Sequence, residues 1–384
     1  MRLIHTADIH LDTCYASARV PPAFGNRRRQ SLREVFHAIV ERAGQWPADA
    51  LLIAGDLFDL ERVTRDTVRF LQAEFASIQH VPVCIAAGNQ DPCVPGSPYA
   101  EETWPDNVTI FGEPNWRSLT LDEQGTTVHG FGFDSSDESA DPFSEFPPLQ
   151  LGATHVGVLH GTALGCQLPV KHCRAPFDPA AASVEGLRYL ALGHAHRFMR
   201  IGSDVPTCMA YAGAPEGHGF NETGMHYFLE IEIGAEGVRI TPVPSSRSVY
   251  VTASVDCTAF GSSREAVDAI CAVCPDDGVR PIAHITLTGV CPNEWRGELE
   301  TIYDAAAPAF EYLVLDDQTA ATIDYAALAA QDTSLGEFVA RLGAELSDAA
   351  DVREREMLAR ARSLGLAAFR NQPLVLQGLE RDSA

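Results

Sequence analysis

The apolar positions of the first 245 residues fall into short runs separated by helical stripes. Arg2–Ala7, Ala50–Ala54 and Val81–Ala86 read as brief strands, and Gln30–Ala43 and Arg65–Ile78, between them, carry apolar residues at helical spacing. His155–Leu159, Tyr189–Leu192, Thr207–Tyr211 and Met225–Ile233 continue the strands. Val238–Pro244, beginning after the Gly237 turn, reads as a hairpin partner of the last of these. Such alternation predicts a layered α/β fold. The style changes after Pro244-Ser245-Ser246. Strands at Ser248–Val255, Pro281–Thr288 and Glu311–Leu315, with helices at Ser263–Val273 and Glu294–Ala306, form a small βαβαβ unit. From Ile323 the pattern is helical only. Leu335, Phe338, Val339, Leu342 and Leu346 share one face, and a second helix covers Asp351–Leu364. The predicted organisation is a main domain over 1–245, a small α/β domain over 246–318 and a C-terminal helical segment over 319–384.

Composition narrows the class. With 46% hydrophobic and 21% charged residues in 384, the chain is expected to fold rather than remain disordered. No run approaches the roughly 18 apolar residues of a membrane-spanning helix. The opening MRLIHTADIH has no apolar leader, and the ten cysteines show no paired framework. Reduced thiols in a cytoplasmic protein are the expectation. Charge adds a restriction. The net charge is −24, and residues 101–316 hold 11 basic against 30 acidic residues, a net of −19. Such a surface repels a polyanion, so the chain alone is expected to bind DNA weakly. Arg27, Arg28, Arg29 and Arg33 are the local exception, and the first three, read as a loop before the first helix, are a candidate phosphate-contacting edge.

Chemistry concentrates at strand ends. Asp8 and His10 follow the first strand in TADIHLD, Asp56 the second in IAGDLFD, and Asn89 the third in AAGNQD. His160 ends a strand in GVLHGT, and His194 and His196 follow another in ALGHAH. Sites in open α/β sheets form at the carboxyl ends of strands, so these segments can converge. Four imidazoles, two carboxylates and an amide oxygen make a mixed N/O donor set. If one carboxylate is shared, the set suits two divalent cations about 3.5–4 Å apart, the arrangement that clamps both oxygens of a phosphoryl displacement. Asp12, Asp59 and Asp91 are read as supports that orient loops or ligand histidines.

The ordered series D-x-H, GD-x-x-D, GN-x-D, H and G-H-x-H resembles the calcineurin-like metallophosphoesterases. The form IHTADIHLD…LLIAGDLFD…LHGT…ALGHAH is similar to the SbcD-type DNA repair exonucleases, and AGAPEGHGFNETG after the last motif is similar to their YhaO-like subgroup. The resemblance implies a four-layer α/β/β/α sandwich with a small α/β capping domain and a C-terminal helical segment. It implies Asp8, His10, Asp56 and His196 on one metal and Asp56, Asn89, His160 and His194 on the other. The family metal is usually manganese, though the donor set also admits iron, zinc, nickel or magnesium. The implied partners are DNA ends and an SMC-like, SbcC-type coiled-coil ATPase docked on the C-terminal helices. A homodimer is left open, and no membrane is involved.

One departure bears on catalysis. Where the family carries GNHD, this chain has Gly88-Asn89-Gln90-Asp91. The family histidine is thought to contact the scissile phosphate and protonate the leaving oxygen. Gln90 stands in its place and can donate a hydrogen bond but not a proton. His218 and His172 are the imidazoles available to replace it. The expected activity is metal-dependent phosphodiester hydrolysis. The competing expectations are a small-nucleotide phosphodiesterase and a weakened scaffold subunit.

Overall fold

The structure is a computed structural model that describes residues 1–15, 21–123, 125–135, 140–150, 152–166, 173–202, 206–275, 280–291, 295, 298–321 and 323–370. The chain divides into two compact units. One comprises Met1–Val255, Ala266–Thr286 and Ile302–Asp316; the other comprises Asp256–Glu265, Leu287–Thr301 and Asp317–Ala384.

The first unit is built on two six-stranded sheets. One runs β12-β11-β1-β2-β3-β4, from β1 (Arg2–Thr6), β2 (Ala50–Ile53), β3 (Val83–Ala86), β4 (Val108–Phe111), β11 (Tyr227–Gly234) and β12 (Gly237–Pro244). The other runs β5-β6-β7-β8-β10-β9, from β5 (Arg117–Thr120), β6 (Thr127–Phe131), β7 (His155–His160), β8 (Leu187–Gly193), β9 (Met199–Ile201) and β10 (Cys208–Tyr211). β1 to β4 are parallel, as are β6, β7, β8 and β10. β2 and β3 are buried along their whole length, which is why they read as unbroken apolar runs rather than alternating ones. Leu3, Leu52, Cys84, Val128, Val156, Tyr189, Ala191 and Leu229 fill the space between the sheets.

The outer face of the first sheet is covered by α1 (Pro22–Gln45) and α2 (Arg65–Ser77). Leu32, Val35, Phe36, Ile39 and Val40 of α1 meet Leu71 and Phe75 of α2 in that core. α2 starts where the Thr64 side chain accepts from Thr67 N at 3.2 Å, with Asp66 in its first turn. On the outer face of the second sheet, a 3₁₀ turn at Pro142–Glu145 and irregular segments around Phe133, Phe177 and Ala182 complete the four layers. A short helix, α3 (Pro98–Glu101), precedes β4.

A three-stranded sheet, β13 (Tyr250–Asp256), β14 (Ile282–Thr288) and β16 (Tyr312–Asp317), accompanies α4 (Ser263–Cys271) and α5 (Leu299–Ala306). Phe24 at the start of α1 packs with Tyr250 and Ile282 and lies 4.6 Å from the Tyr312 ring. In the second unit β15 (Val290–Cys291) pairs with β17 (Ala320–Ala321). Three helices follow: α6 (Tyr325–Ala329), α7 (Ser334–Asp348) and α8 (Val352–Phe369). A Cβ on Gly365 of α8 would stand 2.1 Å from the Phe338 ring, so α8 covers part of the apolar face of α7. Val339 on that face is buried, while Leu335, Phe338, Leu342 and Leu346 are half-buried.

The structure adds to the predicted elements. α1 begins at Pro22 rather than Gln30, and β4, β5, β6 and β9 were not expected. No disulfide joins any of the ten cysteines. Among the described residues no helix is long and apolar enough to cross a membrane.

His5 of β1 ties the two sheets, its Nδ1 lying 2.8 Å from the Tyr189 hydroxyl of β8. Burial drives its pKa down to about 3, against a smaller raising effect of the Leu192 backbone. The folded chain thus holds a neutral imidazole that the unfolded chain protonates below about pH 6.5. Stability is fully present above that pH and falls as pH drops towards 3. At pH 5 this residue alone should cost about 2 kcal/mol. His5→Gln should shrink the pH 7-to-5 fall in unfolding free energy, measured by urea titration, by that amount, and equal falls in the two proteins would refute the assignment.

Candidate metal centre

The predicted strand ends do converge. Past the end of β1 and β2 the two chains stay zipped: Asp8 N donates to Gly55 O at 3.0 Å, His10 N to Asp56 O at 2.9 Å and Leu11 N to Leu57 O at 3.0 Å. Holding that path forces non-glycine residues into the left-handed region, with φ of 53° at Asp8, 50° at His10 and 53° at Asp56. His194 has φ 100°. Each costs on the order of 1–2 kcal/mol, a concentration of strain typical of functional sites. Of Gly55, Gly88 and Gly193, each just before a motif residue, Gly55 has the positive φ, 85°. Gly88 and Gly193 serve close approach instead. A Cβ at Gly88 would lie 2.4 Å from Asp56 Oδ1, and one at Gly193 would lie 1.8 Å from Ala54 O.

The His10 and His160 side chains meet at Asp56. Its Oδ2 lies 3.6 Å from His10 Nε2 and 3.6 Å from His160 Nε2. Its Oδ1 accepts from Gln90 N at 2.8 Å. Asp8 is fully buried, and both its oxygens take the His194 backbone N–H, at 3.0 and 3.1 Å. His196 Nε2 stands 3.9 Å from Asp8 Oδ1. Asn89 Oδ1 is 3.0 Å from His160 Nε2, and the His194 ring stands edge-on to His160 with centroids 5.1 Å apart.

The partners of these rings fix which nitrogen faces the centre. His10 Nδ1 faces Asp59 Oδ1 at 2.8 Å, His196 Nδ1 faces Glu222 Oε1 at 2.8 Å, and His160 Nδ1 faces Ala54 O at 2.9 Å. Each acceptor claims the Nδ1 proton, which leaves Nε2 as a bare lone pair. The Nε2 atoms of His10 and His196 are nevertheless 3.3 Å apart. Such lone pairs repel unless a cation lies between them, so the donor set fits metal ions. Without a metal, protons take that role. Burial alone would lower His10, but the Asp59 hydrogen bond and the Asp56, Asp59 and Asp8 charges outweigh it and lift its pKa to about 9. Burial would raise Asp56, yet the neighbouring His160 and His10 hold it below the usual carboxylate range.

Supporting carboxylates surround the cluster. Asp91 takes the backbone N–H of Asp56, Leu57 and Gly88 and the Tyr99 hydroxyl, and burial next to Asp56 pushes it up to about 6. Asp12 takes Thr64 N and the Thr67 hydroxyl, orienting the loop before α2. Glu222 was missed in the sequence. It accepts from His196 Nδ1 at 2.8 Å and from His218 N at 2.9 Å, and lies 3.0 Å from His218 Nδ1. The acid- and histidine-bearing, glycine-rich stretch from Gly213 to Gly224 was its only signal.

Two sequence expectations need correction. Arg27, Arg28 and Arg29 lie within α1, not in a loop. Arg28 is fully buried, its Nη2 2.5 Å from Glu216 Oε1, because it shares the inward stripe of Phe24 and Leu32; it offers no phosphate-contacting edge. Arg27 is exposed over the Phe24 ring, and Arg29 bonds Asn26. His218 does reach the cluster, 5.2 Å from the His10 ring, but its nitrogens face Glu222 and Ile9 O, so it is not free to meet a substrate. Gln90 enters through its backbone, while its residue surface is exposed. His172 lies outside the described residues.

The family profile described as calcineurin-like phosphoesterase matches residues 1–198. The uncharacterized metallophosphoesterase YhaO of Bacillus subtilis is 27% identical over 231 residues, 58% of this chain and 55% of that protein. The DNA double-strand break repair protein Mre11 of Methanosarcina acetivorans is 23% identical over 265 residues, 67% of this chain and 41% of that protein. The chain thus spans about half the length of these relatives. A crystal structure of a dimetal phosphatase from Danio rerio is 12% identical, with a TM-score of 0.40, over 64% of this chain and 99% of that one.

Since Asp56 Oδ2 is shared by two imidazoles, Asp56→Ala should abolish binding of both cations, whereas Asp8→Ala should weaken mainly one. Elemental analysis that still finds two metals in Asp56→Ala would sink the shared position. The apparent affinity should also rise with pH up to about 9, where the His10 proton no longer competes. Mn²⁺ titrations at pH 6, 7.5 and 9 check this.

Proposed function

The chain belongs to the calcineurin-like phosphoesterases, and from that membership we propose a phosphodiesterase that holds two divalent cations on either side of Asp56. The carrying observation is the single oxygen Oδ2 placed 3.6 Å from imidazoles of two different strand ends. Asp8, His10, Asp56 and His196 hold one cation in this reading. Asp56, Asn89, His160 and His194 hold the other. The N/O donors suit manganese, and also iron, zinc, nickel or magnesium as availability dictates.

Bound there, the cations supply positive charge to phosphoryl oxygens and acidify water. The chain's own groups do the rest. Asp59, Glu222 and the Ala54 carbonyl fix three ligand rings with Nε2 turned inward. Asp91 gathers the N–H groups of the two loops that carry Asp56 and Asn89. Gln90 adds hydrogen bonding but no transferable proton, so a leaving alkoxide departs without help from this position.

We extend the reading to DNA ends, with the chain as an SbcD-type, YhaO-like subunit beside an SMC-like ATPase in the cytoplasm. Relatives described as DNA double-strand break repair proteins support it, and the net charge of −24 accords with weak DNA binding by the chain alone. Residues 246–318 would cap the site, and 319–384 would dock the ATPase. The exposed Gln90 favours a second reading: a slowed enzyme, confined to small nucleotides or kept as a metal-bearing scaffold.

The two readings separate on substrate. The wild type should hydrolyse an aryl phosphodiester, whose leaving group needs no proton, and cleave DNA slowly. Gln90→His should raise the DNA rate by about 10²–10⁴-fold and the aryl rate far less. Metal content should not change. Rapid degradation of DNA ends by the wild type, with no gain from Gln90→His, would show that the substitution carries no catalytic weight.

A further inference from the structure

We propose that Glu222 is a positioning residue for the cation held by Asp8, His10 and His196, and not for the other. This rests on the two-cation reading above. The carboxylate is a tenth exposed, and both oxygens are engaged. Oε1 fixes the His196 ring through Nδ1. Oε2 takes the His218 backbone N–H and faces its Nδ1 at 3.0 Å. His218 Nε2 in turn lies 3.2 Å from the carbonyl of Ile9, the residue between Asp8 and His10. Its ring stands at 87° to His10, 5.2 Å away, and at 63° to His196, 5.5 Å away. One carboxylate therefore reaches His196 directly and, by fixing the His218 ring, packs that ring edge-on against His10.

The second set draws its support elsewhere. His160 is held by Ala54 O, and Asp56 by the N–H of Gln90. The loop that carries Glu222 is itself firmly tied. Glu216 takes Arg28 Nη2 at 2.5 Å, Arg247 N at 2.6 Å and Ser248 N at 3.2 Å. The Ser245 hydroxyl donates to Pro215 O at 2.6 Å, and His226 stands between Ala214 O at 2.8 Å and Glu222 O at 3.1 Å. A loop anchored this way can transmit a fixed position to His196 rather than merely follow it.

Mn²⁺ alone, titrated calorimetrically into the full chain with the spin signal of each site followed, tests the asymmetry. Wild type should bind two ions. Glu222→Ala should weaken one site by about 10–100-fold, the usual cost of removing a carboxylate behind a ligand histidine, and leave the other within about twofold. Glu222→Gln, which keeps one acceptor oxygen, should fall between. His218→Phe preserves ring packing but not the hydrogen bonds, so it should weaken the same site less; it also serves if Glu222→Ala does not fold. Two unchanged sites, or two sites weakened equally, would overturn the proposal. A wild type that binds no Mn²⁺ would instead overturn the two-cation reading beneath it.

Discussion

Electron-pair donors face one another around Asp56. His10 and His196 bring their Nε2 atoms 3.3 Å apart, and a carboxylate oxygen lies 3.6 Å from two rings. This repulsion is tolerable only if positive charge enters, as protons or as metal. The surrounding structure exists to hold that unfavourable arrangement. Acceptors behind each ring prevent it from turning over. Asp91 collects backbone N–H groups so that the loops cannot retreat. The two sheets approach so closely that Gly193 of one leaves no room for a Cβ against Ala54 of the other.

Backbone strain follows from the same demand. Asp8, His10, Asp56 and His194 all have positive φ, and each sits where a strand has just ended. A strand sends its side chains alternately to its two faces; the left-handed turn breaks that alternation and re-aims the residue that follows the strand. The zipper between the loops after β1 and β2 keeps the turn from relaxing. Cation binding is thus coupled to folding, because the unfolded chain has no preformed site.

The converging strand-end residues were legible because each falls within a few residues of an apolar run whose end is easy to see. The supports Asp59 and Asp91 were legible by proximity to those ligands. Glu222 was not, since it lies 26 positions from His196 in a loop with no periodicity. Nor was β5, an edge strand whose Arg117, Ser118 and Thr120 are exposed, or β6, whose buried His129 and Gly130 break the apolar pattern. Arg28 carried a signal that the arginine cluster obscured. Four residues after Phe24 and four before Leu32, it lies on the inward stripe, and adjacent arginines on a helix point in different directions.

The buried Arg28–Glu216 pair constrains how this sequence can diverge. Either residue alone leaves an uncompensated charge in the interior, at a cost of about 3–5 kcal/mol. That is a large part of the roughly 5–15 kcal/mol by which a domain is stable. A well-packed apolar pair could be equally stable, but single substitutions cannot reach it without passing through a chain that barely folds. Lineages that keep the fold should therefore retain both charges or exchange both together. The two positions, 188 residues apart, should drift as one.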